Sequence, residues 1–406
     1  MKFFTVRSLC PILLFTLVVG QPEVSDDQQS NESNQQIVES LDSFSWKLYS
    51  QLAKAHMSEN LFYSPMSISM AFSMVSLGAT SETRQQIFKG LELNTTVIKE
   101  EAIYSGFKHL LQTPNQLNSD LELNIANALF VEEKLNLLQK FKDEIKAFYK
   151  SELISVNFQQ LEEAKNLINS YVEEKTNGLI EKLLSELSVD TVMVLINTLY
   201  FKGSWTNAFN VNQTRKEDFH VDENTIEKVP MMKREGVYPV AFFDDLECTV
   251  VKVPYKGNAS AIFIIPNKGK LQDVEKAFQE GSLSERMKQL KPKKINLWIP
   301  KLSLSKKLNL KTELTPIGFG HLFSKSADLS KISNDVKLEV SQANHQAVII
   351  MNEEGTVAAA ATSIGVVVTS IEIVPEVKAN KPFILIIQLD FQAIPLFIGR
   401  INNPNN

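Results

Sequence analysis

Glu353-Glu354-Gly355-Thr356-Val357-Ala358-Ala359-Ala360-Ala361-Thr362 is followed by Ser363 to Ile371, SIGVVVTSI. No charged residue occurs from Gly355 through Ile371. Such a run reads as a buried strand or a buried Ala-rich helix, and composition does not choose between them. The four alanines fill a core poorly and have weak strand propensity. They suit a segment with two homes. Small side chains enter a close-packed sheet without a clash, and in water they expose no large apolar patch.

The order Glu, Glu, Gly, Thr, any residue, then alanines holds at every position from Glu353 to Ala361. It closely resembles the hinge and reactive loop of inhibitory serpins. The resemblance spans about residues 37–404 and is closest to the secreted antitrypsin and antichymotrypsin-like branch. It implies an α+β fold in a single unit, about nine helices around three β-sheets, with hinge and exposed reactive loop over 353–375. It also implies a suicide-substrate inhibitor of serine proteases, not an enzyme, that forms a covalent 1:1 complex and is monomeric before reaction. The alternative within the resemblance is a noninhibitory serpin that carries a small ligand or hormone. Against the carrier stands the hinge without bulky residues. Val357 departs from the family's usual Glu, and as an outward-facing residue it is tolerable.

Working outward, the chain has 406 residues, and 44% are hydrophobic, enough for a large core. A net charge of −5 argues against nucleic acid as a partner. Residues 1–20, MKFFTVRSLCPILLFTLVVG, set Lys2 and Arg7 before an apolar run too short to span a bilayer, which reads as a secretory signal peptide. Nothing after it predicts a membrane segment. Residues 21–36 are polar and read as a disordered tail, with order starting at Ile37. Cys10 leaves with the signal, so Cys248 is alone and reads as a small core residue. Sequons at Asn31, Asn94, Asn212 and Asn258 are permissive glycosylation sites in a secreted chain.

Periodicity places helices over 37–52 and 65–78, mixed helices over 81–111 and 136–150, a helical hairpin over 161–187 and one more helix over 271–290. Strands are expected at 121–131, 191–201, 250–255, 259–266, 336–340, 347–351, 383–387 and 395–399. The stretch 191–201 is too apolar for an edge, and Asn197 is its exception. A buried amide needs partners, and His345 is the natural one. No GxSxG, HExxH, CxxC or GxxxxGK[ST] motif occurs. His56, His109, His220, His321 and His345 are scattered without ligand spacing, so no metal or other cofactor is expected.

The resemblance adds roles. Ser64, Pro65 and Ser67 match the family's shutter beneath the main sheet, and His345 matches the histidine that bonds the asparagine matching Asn197. Trp205 in Lys202-Gly203-Ser204-Trp205 matches the tryptophan at the sheet's top, the breach, where Lys301 pairs with Glu353. Lys288, Lys291, Lys293 and Lys294 form a basic cluster that reads either as a solvated helix end or as a weak contact for a sulfated glycosaminoglycan. Counting forward from Gly355 sets the scissile bond at Thr369-Ser370. Counting back from Asn380-Lys381-Pro382-Phe383 reaches Ile371, and Val368 is a further fallback. The forward count is preferred because insertion depth must match the sheet. The uncharged β-branched candidates suit elastase-like or chymotrypsin-like targets over trypsin-like ones.

Overall fold

The computed structural model describes residues 26–112, 121–334, 338–356 and 374–406. Residues 1–20, expected to be a signal peptide, and residues 357–373, with Val357, Ala358 to Ala361, Val368, Thr369, Ser370 and Ile371, lie outside the described residues. Nine α-helices are present among the described residues: α1 (Asp26–Ala55), α2 (Pro65–Gly78), α3 (Ser81–Gly90), α4 (Glu100–Gln112), α5 (Gln139–Tyr149), α6 (Leu161–Lys175), α7 (Leu271–Ala277), α8 (Leu283–Met287) and α9 (Leu310–Leu314). No described helix is long and apolar enough to cross a membrane.

Fifteen strands accompany them: β1 (Leu61–Tyr63), β2 (Leu121–Glu132), β3 (Glu152–Val156), β4 (Met193–Ser204), β5 (Arg215–His220), β6 (Ile226–Phe243), β7 (Cys248–Pro254), β8 (Ala259–Pro266), β9 (Lys291–Pro300), β10 (Leu302–Asn309), β11 (Gln342–Asn352), β12 (Gly355–Thr356), β13 (Glu376–Lys378), β14 (Phe383–Leu389) and β15 (Ile394–Ile401). They hydrogen-bond into two sheets. The six-stranded sheet has the order β10-β11-β12-β4-β2-β3, and the nine-stranded one runs β1-β15-β14-β8-β7-β6-β9-β13 with β5 added on β6. The resemblance implied three sheets. The 18-residue β6 pairs β5 and β9 along one part and β7 along another, which joins into one network what would otherwise be two sheets.

Strand β4 is central, as its continuous apolar run predicts. Leu195 and Leu199 face the main core, while Val194 and Ile196 face a second cluster built with Ile168 and Val172 of α6. A strand covered on both faces has no reason to alternate. Helix α2 is buried along its whole length beneath this sheet. Ser64 starts it: the Ser64 hydroxyl accepts from the Ser67 amide at 3.1 Å, with Pro65 at the first helical position.

Three further expectations are corrected. Of the tail expected over 21–36, residues 21–25 lie outside the described residues and the rest is helical from Asp26 onward, because no Gly or Pro occurs from Asp26 to Gln36 and each added residue extends a helix already nucleated at the buried face of Ile37, Leu41 and Phe44. The hairpin over 161–187 has only its first helix. Asn177 and Gly178 adopt positive φ, and the amides of Leu183 and Leu184 then bond the Asn169 side chain at 2.9 and 2.7 Å, not a helical carbonyl. The helix expected over 271–290 breaks at Gly281, where φ is 89°.

Candidate functional site

Register brings three polar residues into one row across the six-stranded sheet. Asn127 of β2 faces Asn197 of β4, and Asn197 faces His345 of β11. Asn197 and His345 are fully buried. The Ser64 amide donates to His345 Nε2 at 3.1 Å, which leaves Nδ1 as the protonated nitrogen, donating to Asn197 Oδ1 at 2.5 Å. The Asn197 amide in turn donates to the Ser67 hydroxyl at 2.5 Å, to the Ser67 carbonyl at 3.1 Å and to Asn127 Oδ1. Burial opposes the cation and outweighs the bond to Asn197, so the His345 pKa falls to about 3. The row therefore ties β2, β4 and β11 to the start of α2 through neutral, fully used groups.

The upper end of the same sheet is built differently. Strands β4 and β11 run parallel and pair directly from Gln342↔Val194 to Val348↔Tyr200. Above that, the two-residue β12 lies between them, antiparallel to both: Thr356 faces Met351 and Gly203, and Gly355 faces Asn352 and Ser204. The turn into β12 is an Asx turn, with Asn352 Oδ1 accepting from the amides of Glu354 and Gly355 at 3.0 and 3.2 Å. Gly355 has φ 145°, and a Cβ there would sit 2.1 Å from the Gly203 carbonyl oxygen, so only glycine fits. Thr356 is fully buried, with its hydroxyl 3.0 Å from the Tyr255 hydroxyl.

A strap over residues 205–214 holds the turn in place. The Trp205 amide donates to the Glu354 carbonyl at 2.8 Å, the Phe209 amide to the Glu353 carbonyl at 2.7 Å, and the Trp205 indole to the Asn352 carbonyl at 3.0 Å. Trp205 stacks on Tyr255 with ring centroids 4.3 Å apart. The Glu353 carboxylate accepts from Lys301 Nζ at 3.0 Å and from the Thr214 hydroxyl at 2.7 Å. Burial pushes its pKa up, but the bonds from Thr214 and Lys301 outweigh this and leave it below the ordinary value. The side chain of Glu353 is 6% exposed and that of Lys301 is 40% exposed, so this ion pair is half in water.

Sequence reasoning thus brought together Glu353 with Lys301 and Asn197 with His345. It missed Asn127, Asn352, Thr214 and Tyr255. Asn352 carried a signal, since Asn before Glu-Glu-Gly is a turn pattern. Asn94, Asn212 and Asn258 are exposed, and the side chain of Asn31 lies outside the described residues. Cys248 is buried, which raises its thiol to about 11 and removes it from disulfide chemistry. In the basic cluster Lys288 pairs with Glu285 and Lys294 with Glu235, while Lys293 sits over the Phe242 ring. Among the described residues no three His, Cys, Asp or Glu side chains group as metal ligands.

A family profile described as Serpin (serine protease inhibitor) matches residues 39–404. The chain is 42% identical to alpha-1-antiproteinase of Rattus norvegicus over 97% of both chains. It is 40% identical to alpha-1-antitrypsin of Meriones unguiculatus over 94% of both chains. Among solved structures, human thyroxine-binding globulin complexed with thyroxine superposes with TM-score 0.87 at 33% identity, covering 92% of this chain and 99% of that one. Human glycosylated kallistatin follows with TM-score 0.85 at 37% identity and the same coverage. The relatives thus include both antiproteinases and a hormone-binding globulin, and the protein is secreted and extracellular, as they are. The chain belongs to the serpin family, in its alpha-1-antitrypsin-like branch, and is not an enzyme.

Proposed function

We propose that the chain is a suicide-substrate inhibitor of serine proteases with small-aliphatic or apolar specificity. The protease serine attacks the Thr369 carbonyl, the bond to the Ser370 nitrogen breaks, and that nitrogen leaves with the proton held by the protease histidine, giving an acyl-enzyme ester. The freed segment then continues β12 as a strand between β4 and β11, with Thr356, Ala358, Ala360 and Thr362 turned inward. The tethered protease is carried along and distorted before water can cleave the ester.

The observation that carries this reading is the position of Gly355 and Thr356, already antiparallel to both β4 and β11. Below them the two strands form a parallel pair, the weaker kind per residue. Insertion replaces one parallel interface with two antiparallel ones, so the uncut protein is held above a lower state by a barrier. The absence of Arg and Lys between Glu354 and Lys378 leaves the acidic pocket of a trypsin-like protease unpaired and favours elastase-like or chymotrypsin-like targets. Mixing with active elastase or chymotrypsin and running a denaturing gel tests this. An adduct surviving denaturation supports it; complete cleavage without adduct overturns it. A peptide product starting at Ser370 supports the forward count, and one starting at Glu372 the backward one.

The superposition on thyroxine-binding globulin favours a second reading, a small-ligand carrier, which predicts cleavage without adduct. A weak sulfated-glycosaminoglycan contact falls to Lys291 and Lys293, since Lys288 and Lys294 are paired with carboxylates. The native protein acts as a monomer.

A further inference from the structure

Asn212 lies in a single 3-10 turn, Val211–Gln213, whose Val211 and Asn212 are exposed. Its sequon ends at Thr214, and the Thr214 hydroxyl is the group that donates to Glu353 at 2.7 Å. The other two sequons with described side chains spend their hydroxyls elsewhere. Thr96 donates to Asn94 itself at 2.6 Å, and Ser260 to Asp390 at 2.8 Å. Thr214 therefore serves in two places, as the hydroxyl that makes Asn212 a glycan acceptor and as a clasp on the first residue of the hinge. The same strap delivers the Phe209 and Trp205 amides to Glu353 and Glu354.

We propose that Asn212 carries an N-linked glycan that shields the entry of the six-stranded sheet against the loop of a second molecule, while leaving the chain's own loop free to insert. This rests on the insertion reading above. The protein's own segment is already threaded between β4 and β11 at Gly355–Thr356, and the strap bonds the backbone of Glu353 and Glu354 just before it. A foreign strand must approach from solvent, and the exposed Asn212 lies two residues from the Thr214 contact with Glu353 at that entry. A sheet that opens without cover is a template for such a strand.

The modification uses a lipid-linked oligosaccharide diphosphate. Asn212 Nδ2 forms a C–N bond to the anomeric carbon, the anomeric C–O bond breaks, the lipid diphosphate leaves with the electron pair, and the amide proton is released. In the fold the Thr214 hydroxyl is occupied by Glu353, so the transfer precedes that contact. Synthesis order allows this, because Asn212 emerges well before Glu353.

The test uses the full chain secreted from a glycosylating cell. Peptide mass mapping should find Asn212 occupied in the wild type, and an unmodified Asn212 overturns the proposal. N212Q, and wild type stripped by an endoglycosidase, should form loop–sheet polymers severalfold faster on mild heating, with unchanged stoichiometry toward elastase. T214S should match wild type in both measurements. T214V loses the glycan and the clasp together, and should add a shift from adduct to cleaved product that N212Q lacks. Polymer formation by N212Q and the stripped protein at the wild-type rate overturns the shield. Absence of any wild-type adduct defeats the inhibitory reading, while mass mapping and polymer rates still decide the glycan's role.

Discussion

At the middle of the six-stranded sheet, Asn197 and His345 join β4 to β11 with both ring nitrogens and both amide atoms bonded and no contact with water. At its upper end the same two strands are parted by Gly355 and Thr356, and the parting is held by the strap's bonds to Asn352, Glu353 and Glu354, by Tyr255 and by an ion pair that is half in water. The closed row resists opening because every broken bond there leaves a buried polar group without a partner. At the open end the bonds run from the strap and Tyr255 to the hinge and not between β4 and β11 themselves. On the insertion proposed above, the sheet opens from Thr356 downward, because β12 already parts β4 and β11 there.

The largest effect is expected at the boundary between the two regions. T356R puts a guanidinium where a fully buried hydroxyl now meets Tyr255, at a cost on the order of several kcal/mol. Denaturing gels against elastase should show cleaved inhibitor in place of adduct. An unchanged stoichiometry would contradict insertion at this position.

Breaking the sealed row comes next. H345A orphans the buried Ser64 amide and Asn197 Oδ1, roughly 1–3 kcal/mol for each group. Heated beside wild type, it should lose monomer to polymers sooner, and equal monomer content would count against the row as the barrier.

The row also sets a pH dependence. Native His345 stays neutral down to pH about 3, whereas an unfolded histidine takes up its proton near 6.5. Between these values the unfolded chain binds one more proton, so stability falls as pH falls, by up to about 1.4 kcal/mol per unit. Denaturant midpoints from pH 7 to 4 should show this slope, and H345Q should flatten it. At the open end K301A removes a half-exposed partner and should change stability by only about 1 kcal/mol. V357E is expected to leave the stoichiometry toward elastase unchanged.

The two regions were not equally legible. Gly355 and the alanines after it announce themselves, because few structures tolerate that composition, and Asn197 stands out as the one amide in an apolar strand. Asn127 gave no such signal. Its partner is set by the β2–β4 register, which a single strand does not encode. Thr214 and Tyr255 act through contacts made 139 and 101 residues away in sequence. The helix at 26–36 was hidden because its composition suits both solvent and helix, and tertiary attachment at Ile37 decides between them. The lost helix at 178–187 was hidden for the converse reason. Ile180, Leu183 and Leu184 have helical spacing, but Asn169 takes the backbone amides of Leu183 and Leu184.

The proposed insertion requires the intact protein to lie above a more stable form that cleavage releases. Thermal unfolding before and after stoichiometric cutting by elastase tests it most directly. If the freed segment becomes a full strand between β4 and β11, the midpoint of the cleaved protein must rise well above that of the intact one. A midpoint that stays level or falls would mean that the loop does not enter the sheet.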